Sequence, residues 1–174
     1  MKQLFFLFLA SLIIGGCGSD ESSSSTQQNS QAKQETTDTP VEPSTEPSQD
    51  ASSEAIVLTS NDMMQYDQKE LTVKEGQEIT LTLKHEGKLP KTAMGHNFVL
   101  LKPGVDIADF ALKAVAAIDN GYIPEGDDVI VHTNLIGGGE STTITFTAPA
   151  KGIYDYICSF PGHYSLMQGK LIVE

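Results

Sequence analysis

The chain has 174 residues and carries 23 acidic side chains against 11 cations, which gives a net charge of −12. All of the cations are lysines, and an acidic chain without arginine is poorly suited to bind nucleic acid or phosphate groups. Two cysteines are too few for a disulfide-rich scaffold, and the length predicts one ordinary domain.

Residues 1–16 have the features of an export signal. Lys2 supplies a positive start, and residues 4–14 form an apolar run that is too short to span a bilayer. The run ends in two glycines before Cys17, and small residues just before a cysteine resemble the cleavage site of bacterial lipoproteins. This resemblance implies an exported protein that is acylated at Cys17 and anchored to a bacterial membrane, with its domain in the periplasm or on the cell surface. An ordinary signal peptide with an incidental cysteine is the alternative.

Residues 17–55 follow the predicted cleavage site and are rich in Ser, Thr, Glu and Pro. After Cys17, Val41 is their only large apolar side chain. Such a segment cannot bury enough surface to offset the entropy lost on ordering. We therefore predict a disordered linker with a root-mean-square reach of about 30–40 Å, and its composition is equally compatible with a glycosylated spacer.

Residues 56–174 show the period-two alternation of strands that bury one face. Segments 79–84 and 142–147 alternate apolar and polar side chains, and similar short runs are separated by turns rich in glycine and proline. About eight strands are predicted, so we expect an all-β domain built as an antiparallel sandwich or barrel.

One segment departs from the strand pattern. Asp106 can cap a helix that runs from 107 to about 118, and its apolar positions follow helical spacing. Those positions are Phe110, Ala114, Ala117 and Ile118. We interpret the segment as one helical insertion between strands.

Candidate metal ligands occur in the loop before the last predicted strand and at one position far upstream. Cys158, His163 and Met167 form a C-x4-H-x3-M motif, and His96 opens an earlier strand. Thiolate and thioether are soft donors that favour Cu(I), while imidazole binds copper in both oxidation states. Two histidines and one cysteine with a weak axial methionine are the ligands expected of a blue-copper electron-transfer centre.

Other interpretations of these residues are weaker. A lone cysteine is most often a small buried apolar residue, but the joint spacing of the motif favours a metal site. Zinc is less suited, because a thioether adds little to its preferred donors. A Cys–His nucleophile needs an orienting third group and an oxyanion site, and the sequence suggests neither. No catalytic residues are predicted, and we do not expect an enzyme.

Several segments resemble, in the same order, those of the azurin-like blue (type 1) copper proteins of the cupredoxin family. The resemblance covers essentially all of 56–174 and implies a Greek-key cupredoxin sandwich that carries one electron at a time on a single copper ion. The lipoprotein-like signal and long linker are similar to those of membrane-tethered, auracyanin-like relatives. The matching segments are 61–66, 89–91, 94–100, 132–137 and 158–167.

The resemblance also implies the copper ligands. His96, Cys158 and His163 would be the equatorial ligands, and Met167 would be the axial thioether. The carbonyl oxygen of Gly95 would be a second, weak axial contact.

Residues around the ligands receive roles from the same resemblance. Asn97 would pin the two ligand loops together, and the backbone N–H groups of Asn97 and Phe160 would donate to the Cys158 sulfur. Electrons would pass through the edge of His163, which lies in an apolar patch that docks redox proteins, such as a cytochrome-type donor or acceptor. The patch residues would be Met64, Leu89, Met94, Phe160 and Gly162. A copper chaperone or storage lipoprotein is the alternative function.

Overall fold

The computed structural model describes residues 53–174, which form nine strands, two α-helices and one 3-10 turn. The predicted signal 1–16, Cys17 and nearly all of the predicted linker lie outside the described residues. Within the described part, no helix is long and apolar enough to span a bilayer. The elements are β1 (Glu54–Asn61), β2 (Gln65–Tyr66), β3 (Glu70–Val73), β4 (Glu78–His85), α1 (Lys91–Met94), β5 (Val99–Leu101), α2 (Ile107–Ala116), the 3-10 turn (Ile118–Asn120), β6 (Val129–His132), β7 (Ser141–Thr147), β8 (Gly152–Ile157) and β9 (Gln168–Val173).

The strands form two sheets, with the orders β2-β1-β4-β7 and β3-β9-β8-β5-β6. The predicted β-sandwich is confirmed, with nine strands instead of about eight because β2 is only two residues long. The purely antiparallel arrangement is wrong, since β1 pairs with β4 and β3 pairs with β9 in parallel. Alternating side chains indicate which residues are strands, but they carry no information about the direction of the partner strand.

The first strand begins at Glu54, two residues before the predicted start of the domain at Ile56. Glu54 and Ala55 pair with Ile79 and Thr80 of β4. Because this pairing uses backbone groups, it does not require apolar side chains. The first strand therefore includes the last two residues of the predicted linker.

The main core lies between the two sheets. Strand β4 buries its alternate residues Ile79, Leu81 and Leu83. They share one apolar cluster with Phe98, Leu100, Tyr156 and Leu171 of the second sheet and its flanks. Each fully buried Leu, Ile or Phe stabilises the fold by about 1.5–3 kcal/mol. Cys158 and Met167 belong to the same cluster, so part of the predicted copper site is built into the core.

Helix α2 covers the other face of the second sheet. The Asp106 carboxylate accepts a hydrogen bond of 2.9 Å from the Asp109 N–H and caps the helix, as predicted. Phe110 is buried in a second apolar cluster with Val99, Leu101, Ile123 and Ile157.

The end of the helix differs from the prediction. Helix α2 stops at Ala116, and the 3-10 turn that follows changes the side-chain period from 3.6 to three. Ile118, which the helical spacing places on the buried face, is therefore 60% exposed.

Candidate metal centre

Three buried side chains converge at one end of the sandwich. The Cys158 Sγ atom lies 3.9 Å from His96 Nδ1 and 3.7 Å from His163 Nδ1. Within 53–174, these residues are the one group of three or more His, Cys, Asp or Glu side chains whose ligand atoms all lie within 4.8 Å of one another. Strands β5 and β8 are neighbours, and His96 lies shortly before β5 while Cys158 directly follows β8. Sheet pairing therefore brings the distant histidine to the loop.

The loop 158–167 folds back on itself so that its two ends meet. The Cys158 N–H donates to the Met167 carbonyl at 2.9 Å, and the Met167 N–H donates to the His163 carbonyl at 2.8 Å. The His163 N–H donates to the Phe160 carbonyl at 3.0 Å, and Gly162 between them has a φ of +82°, which favours glycine. This tight loop places the Met167 backbone against Cys158, and the Met167 side chain is fully buried in the same core cluster.

Gly95 approaches the site closely from the other side. Its carbonyl oxygen lies 3.8 Å from the Cys158 Sγ atom. A Cβ atom at Gly95 would lie 2.6 Å from the Lys91 carbonyl oxygen and 2.9 Å from Phe160 Cδ2. Only glycine therefore allows the segment before His96 to pass this close to the cysteine loop.

The donor set is neutral before a metal binds. Burial raises the pKa of the Cys158 thiol to about 12, although hydrogen bonding from the backbone N–H groups of Asn97 and Phe160 lowers it in part. Burial also lowers the pKa values of His96 and His163 to about 4. Near neutral pH the imidazoles are ready to bind a metal, and only the thiol must lose a proton. Two imidazoles and a thiolate near a buried thioether are donors that suit copper.

Hydrogen bonds fix the orientation of His96. Its Nε2 atom lies 2.9 Å from the Asn61 carbonyl oxygen, so Nε2 carries the proton and Nδ1 faces Cys158 with a free lone pair. The ring also stacks on His85, with ring centres 4.2 Å apart, and His85 Nε2 bonds the Met94 carbonyl at 3.0 Å. Sequence reasoning missed the role of Asn61, because a backbone carbonyl leaves no signal in residue type.

Asn97 ties three segments together beneath the site. Its Oδ1 accepts a 2.9 Å hydrogen bond from the Ser159 N–H, and its Nδ2 donates to Ser159 Oγ at 2.8 Å and to the Gly121 carbonyl at 3.2 Å. The Tyr66 hydroxyl donates to the Asn97 carbonyl. The residue after His96 is therefore bonded to the residue after Cys158. The sequence did not indicate the contacts with Gly121 and Tyr66.

The five residues of the predicted docking patch all retain contact with solvent. Leu89 is 42% exposed, Gly162 is exposed, and Met64, Met94 and Phe160 are partly buried. The Phe160 ring packs against the ring of His163, with centres 4.6 Å apart. Met63, the residue before Met64, is 65% exposed.

A two-sheet sandwich with a buried His–Cys–His cluster at one end defines the class of single-copper cupredoxins. A family model described as "Copper binding proteins, plastocyanin/azurin family" matches residues 53–174, and the chain belongs to this family. Family and donor set together establish a single type 1 copper as the cofactor. The predicted resemblance to the azurin-like copper proteins is thereby confirmed. Copper electron transfer is the activity that this family and site indicate.

Comparison with individual proteins agrees with the family. The chain is 46% identical over 123 residues to azurin-1 of Alcaligenes xylosoxydans xylosoxydans, covering 67% of this chain and 95% of that protein. It is 43% identical over 122 residues to outer membrane protein H.8 of Neisseria gonorrhoeae, and this match covers 67% of this chain and 66% of that protein. The crystal structure of dithionite-reduced auracyanin from Roseiflexus castenholzii matches with a TM-score of 0.63 at 37% identity, covering 69% of this chain and 96% of that one.

Proposed function

We propose that the protein transfers single electrons between redox proteins through copper held by His96, Cys158 and His163. Met167 and the Gly95 carbonyl would supply weaker, additional contacts to the metal. The observation that carries it is the approach of the Cys158 sulfur to within 4 Å of both imidazole Nδ1 atoms in a buried site. Bound copper supplies a one-electron couple between Cu(I) and Cu(II).

The surrounding residues suit electron transfer better than catalysis. His96 is held by the Asn61 carbonyl and the His85 ring, and Asn97 bonds the two ligand segments. A ligand set held this firmly needs little rearrangement when its charge changes by one unit. Cys158 is fully buried, which leaves no room for a substrate beside the sulfur.

We propose that the partner docks on the patch around His163, formed by Met64, Leu89, Met94, Phe160 and Gly162. The partial exposure of these residues and the contact between Phe160 and His163 support this surface. Small interfaces are typical of brief electron-transfer encounters. A cytochrome-type donor or acceptor is the partner that we propose.

Leu89→Asp should slow electron transfer to a purified c-type cytochrome about tenfold, because it places a charge in the apolar patch. The measurement is the second-order rate by stopped-flow at fixed ionic strength. Leu112→Asp is the matched control, because it makes the same charge change at a leucine of α2 that is 72% exposed. Equal slowing by both variants would contradict this docking surface. In a separate experiment, rapid release of Cu(I) from the wild type to an acceptor protein would indicate a copper chaperone and contradict an electron carrier.

We further propose that the chain is exported and anchored through an acylated Cys17. The apolar start of the sequence and the similarity to a protein named as an outer membrane protein support this proposal. In a bacterial host, the full chain should take up labelled fatty acid and sediment with membranes. Cys17→Ser should lose the label and leave the membrane fraction, and labelling of that variant would contradict an anchor at Cys17.

A further inference from the structure

The two histidines of the site are oriented by different means. His96 has a hydrogen bond to the Asn61 carbonyl and a stacked His85 ring. His163 Nδ1 faces Cys158, and within 53–174 its Nε2 atom has no hydrogen bond to the protein and is not a buried atom, so it is open to solvent. The plane of the His163 ring therefore depends on packing.

The packing includes the His96 ring, whose centre lies 5.1 Å from that of His163, and a row of three aromatic rings on the other contacts. The centres of Phe160 and His163 lie 4.6 Å apart with an angle of 41° between the rings. On its other contact, the Phe160 ring meets the ring of Tyr122 edge to face. The centres of these two rings lie 5.1 Å apart, with an angle of 69° between the rings. Both distances lie in the range of favourable aromatic contacts. Phe160 is thus held between a proposed copper ligand and a residue remote from both ligand loops.

The backbone of Tyr122 is held in an uncommon conformation. Its φ of +65° lies in the left-handed region, which is unusual for a bulky side chain and carries strain. The Tyr122 N–H donates to the Ala117 carbonyl at 2.9 Å, and the preceding Gly121 carbonyl accepts the hydrogen bond from Asn97. The side chain that joins the two ligand segments therefore also fixes the turn that presents Tyr122.

We propose that Tyr122 is a positioning residue of the metal centre, which fixes the plane of the His163 ring by holding Phe160 against it. The proposal rests on the ligand role of His163 stated above. Removal of the Tyr122 ring frees Phe160 to move, so the His163 ring samples further orientations. An aromatic contact of this kind corresponds to about a two- to twelvefold change in an equilibrium.

The test compares Tyr122→Asn with Tyr122→Phe. Asparagine removes the ring and tolerates a left-handed backbone, whereas phenylalanine keeps the ring and loses only the hydroxyl. The first measurement is the order of the His96 and His163 rings, from NMR relaxation of the metal-free full chain. The second is the rate at which the copper-loaded chain gives copper to the chelator bicinchoninate.

In Tyr122→Asn, we expect the His163 ring to lose order while the His96 ring keeps it, and copper transfer to become about two- to twelvefold faster. Tyr122→Phe should match the wild type in both measurements. An unchanged His163 ring in folded Tyr122→Asn would overturn the proposal, as would an equal loss of order at both histidines. If Tyr122→Asn does not fold, Tyr122→Gly, which also removes the ring and accepts a left-handed backbone, is judged by the same two results. The ring measurement needs no copper, whereas a failure of the proposed copper site would appear in the wild type as an inability to bind the metal.

Discussion

Cys158→Ser should abolish the strong blue colour of the copper-loaded protein and leave the fold intact. The colour requires a thiolate bound to copper, and a serine hydroxyl is a hard oxygen donor that does not replace it. Serine is close to cysteine in size and fits the fully buried position. The visible and electron paramagnetic resonance spectra of the copper-loaded variant measure the effect.

Unfolding in urea separates a lost ligand from a lost fold. A buried hydroxyl in place of the thiol should lower the free energy of unfolding of the metal-free protein by about 1–3 kcal/mol. Ser165→Ala changes an exposed residue of the same loop and should keep both the colour and the stability. A blue Cys158→Ser protein would show that the sulfur of Cys158 is not a copper ligand.

Asn97→Leu should destabilise the protein and weaken copper binding together. Leucine has the same branched arrangement of heavy atoms but makes none of the three hydrogen bonds of the Asn97 side chain, to Ser159 and Gly121. Buried polar groups that lose a partner cost about 1–3 kcal/mol each, so we expect a loss of about 2–5 kcal/mol in the free energy of unfolding. Loss of a group that supports metal ligands lowers metal affinity about 10- to 100-fold.

Chemical unfolding of the metal-free protein and competition with a chelator measure these two effects. Asn134→Leu is the matched control, because Asn134 is an exposed loop asparagine, and its effect on stability should stay within about 0.5 kcal/mol. A copper affinity equal to that of the wild type in Asn97→Leu would mean that the ligand loops do not depend on Asn97.

The candidate ligand loop could be recognised in the sequence because its residues lie close together. Cys158, His163 and Met167 lie within ten residues, and the chemistry of their donors already indicates copper. The partnership with His96 required a second step, the expectation that two strand ends are neighbours. The structure brings His96 beside Cys158 because β5 and β8 pair.

The groups that orient the ligands were far less accessible from sequence. Asn61 acts through its carbonyl oxygen, which every residue type has. Tyr122 reaches the site through a turn whose left-handed backbone is typical of glycine or asparagine and not of tyrosine. Asn97 received its role only from a family resemblance, because a single asparagine has no pattern of its own.

The features of the fold that differ from the predictions also depend on contacts that the local sequence does not encode. The parallel pairs β1–β4 and β3–β9 depend on how the chain crosses between the sheets, and local alternation of side chains does not encode that path. Ile118 follows helical spacing in the sequence, but the helix ends two residues earlier in the folded protein. The period of the apolar residues and the composition therefore predicted the existence of the strands and the helix well. They predicted the ends of these elements less well.

X-ray absorption at the copper edge tests the central claim most directly, because it reports the atoms around the metal in both oxidation states. The full chain is loaded with one equivalent of copper and measured after oxidation and after reduction. We predict two imidazole nitrogens and one thiolate sulfur around the copper in both oxidation states, with little difference in the metal–ligand distances between the two states. A copper shell without sulfur, or one that exchanges its ligands when the electron is added, would contradict a rigid electron-transfer site at His96, Cys158 and His163.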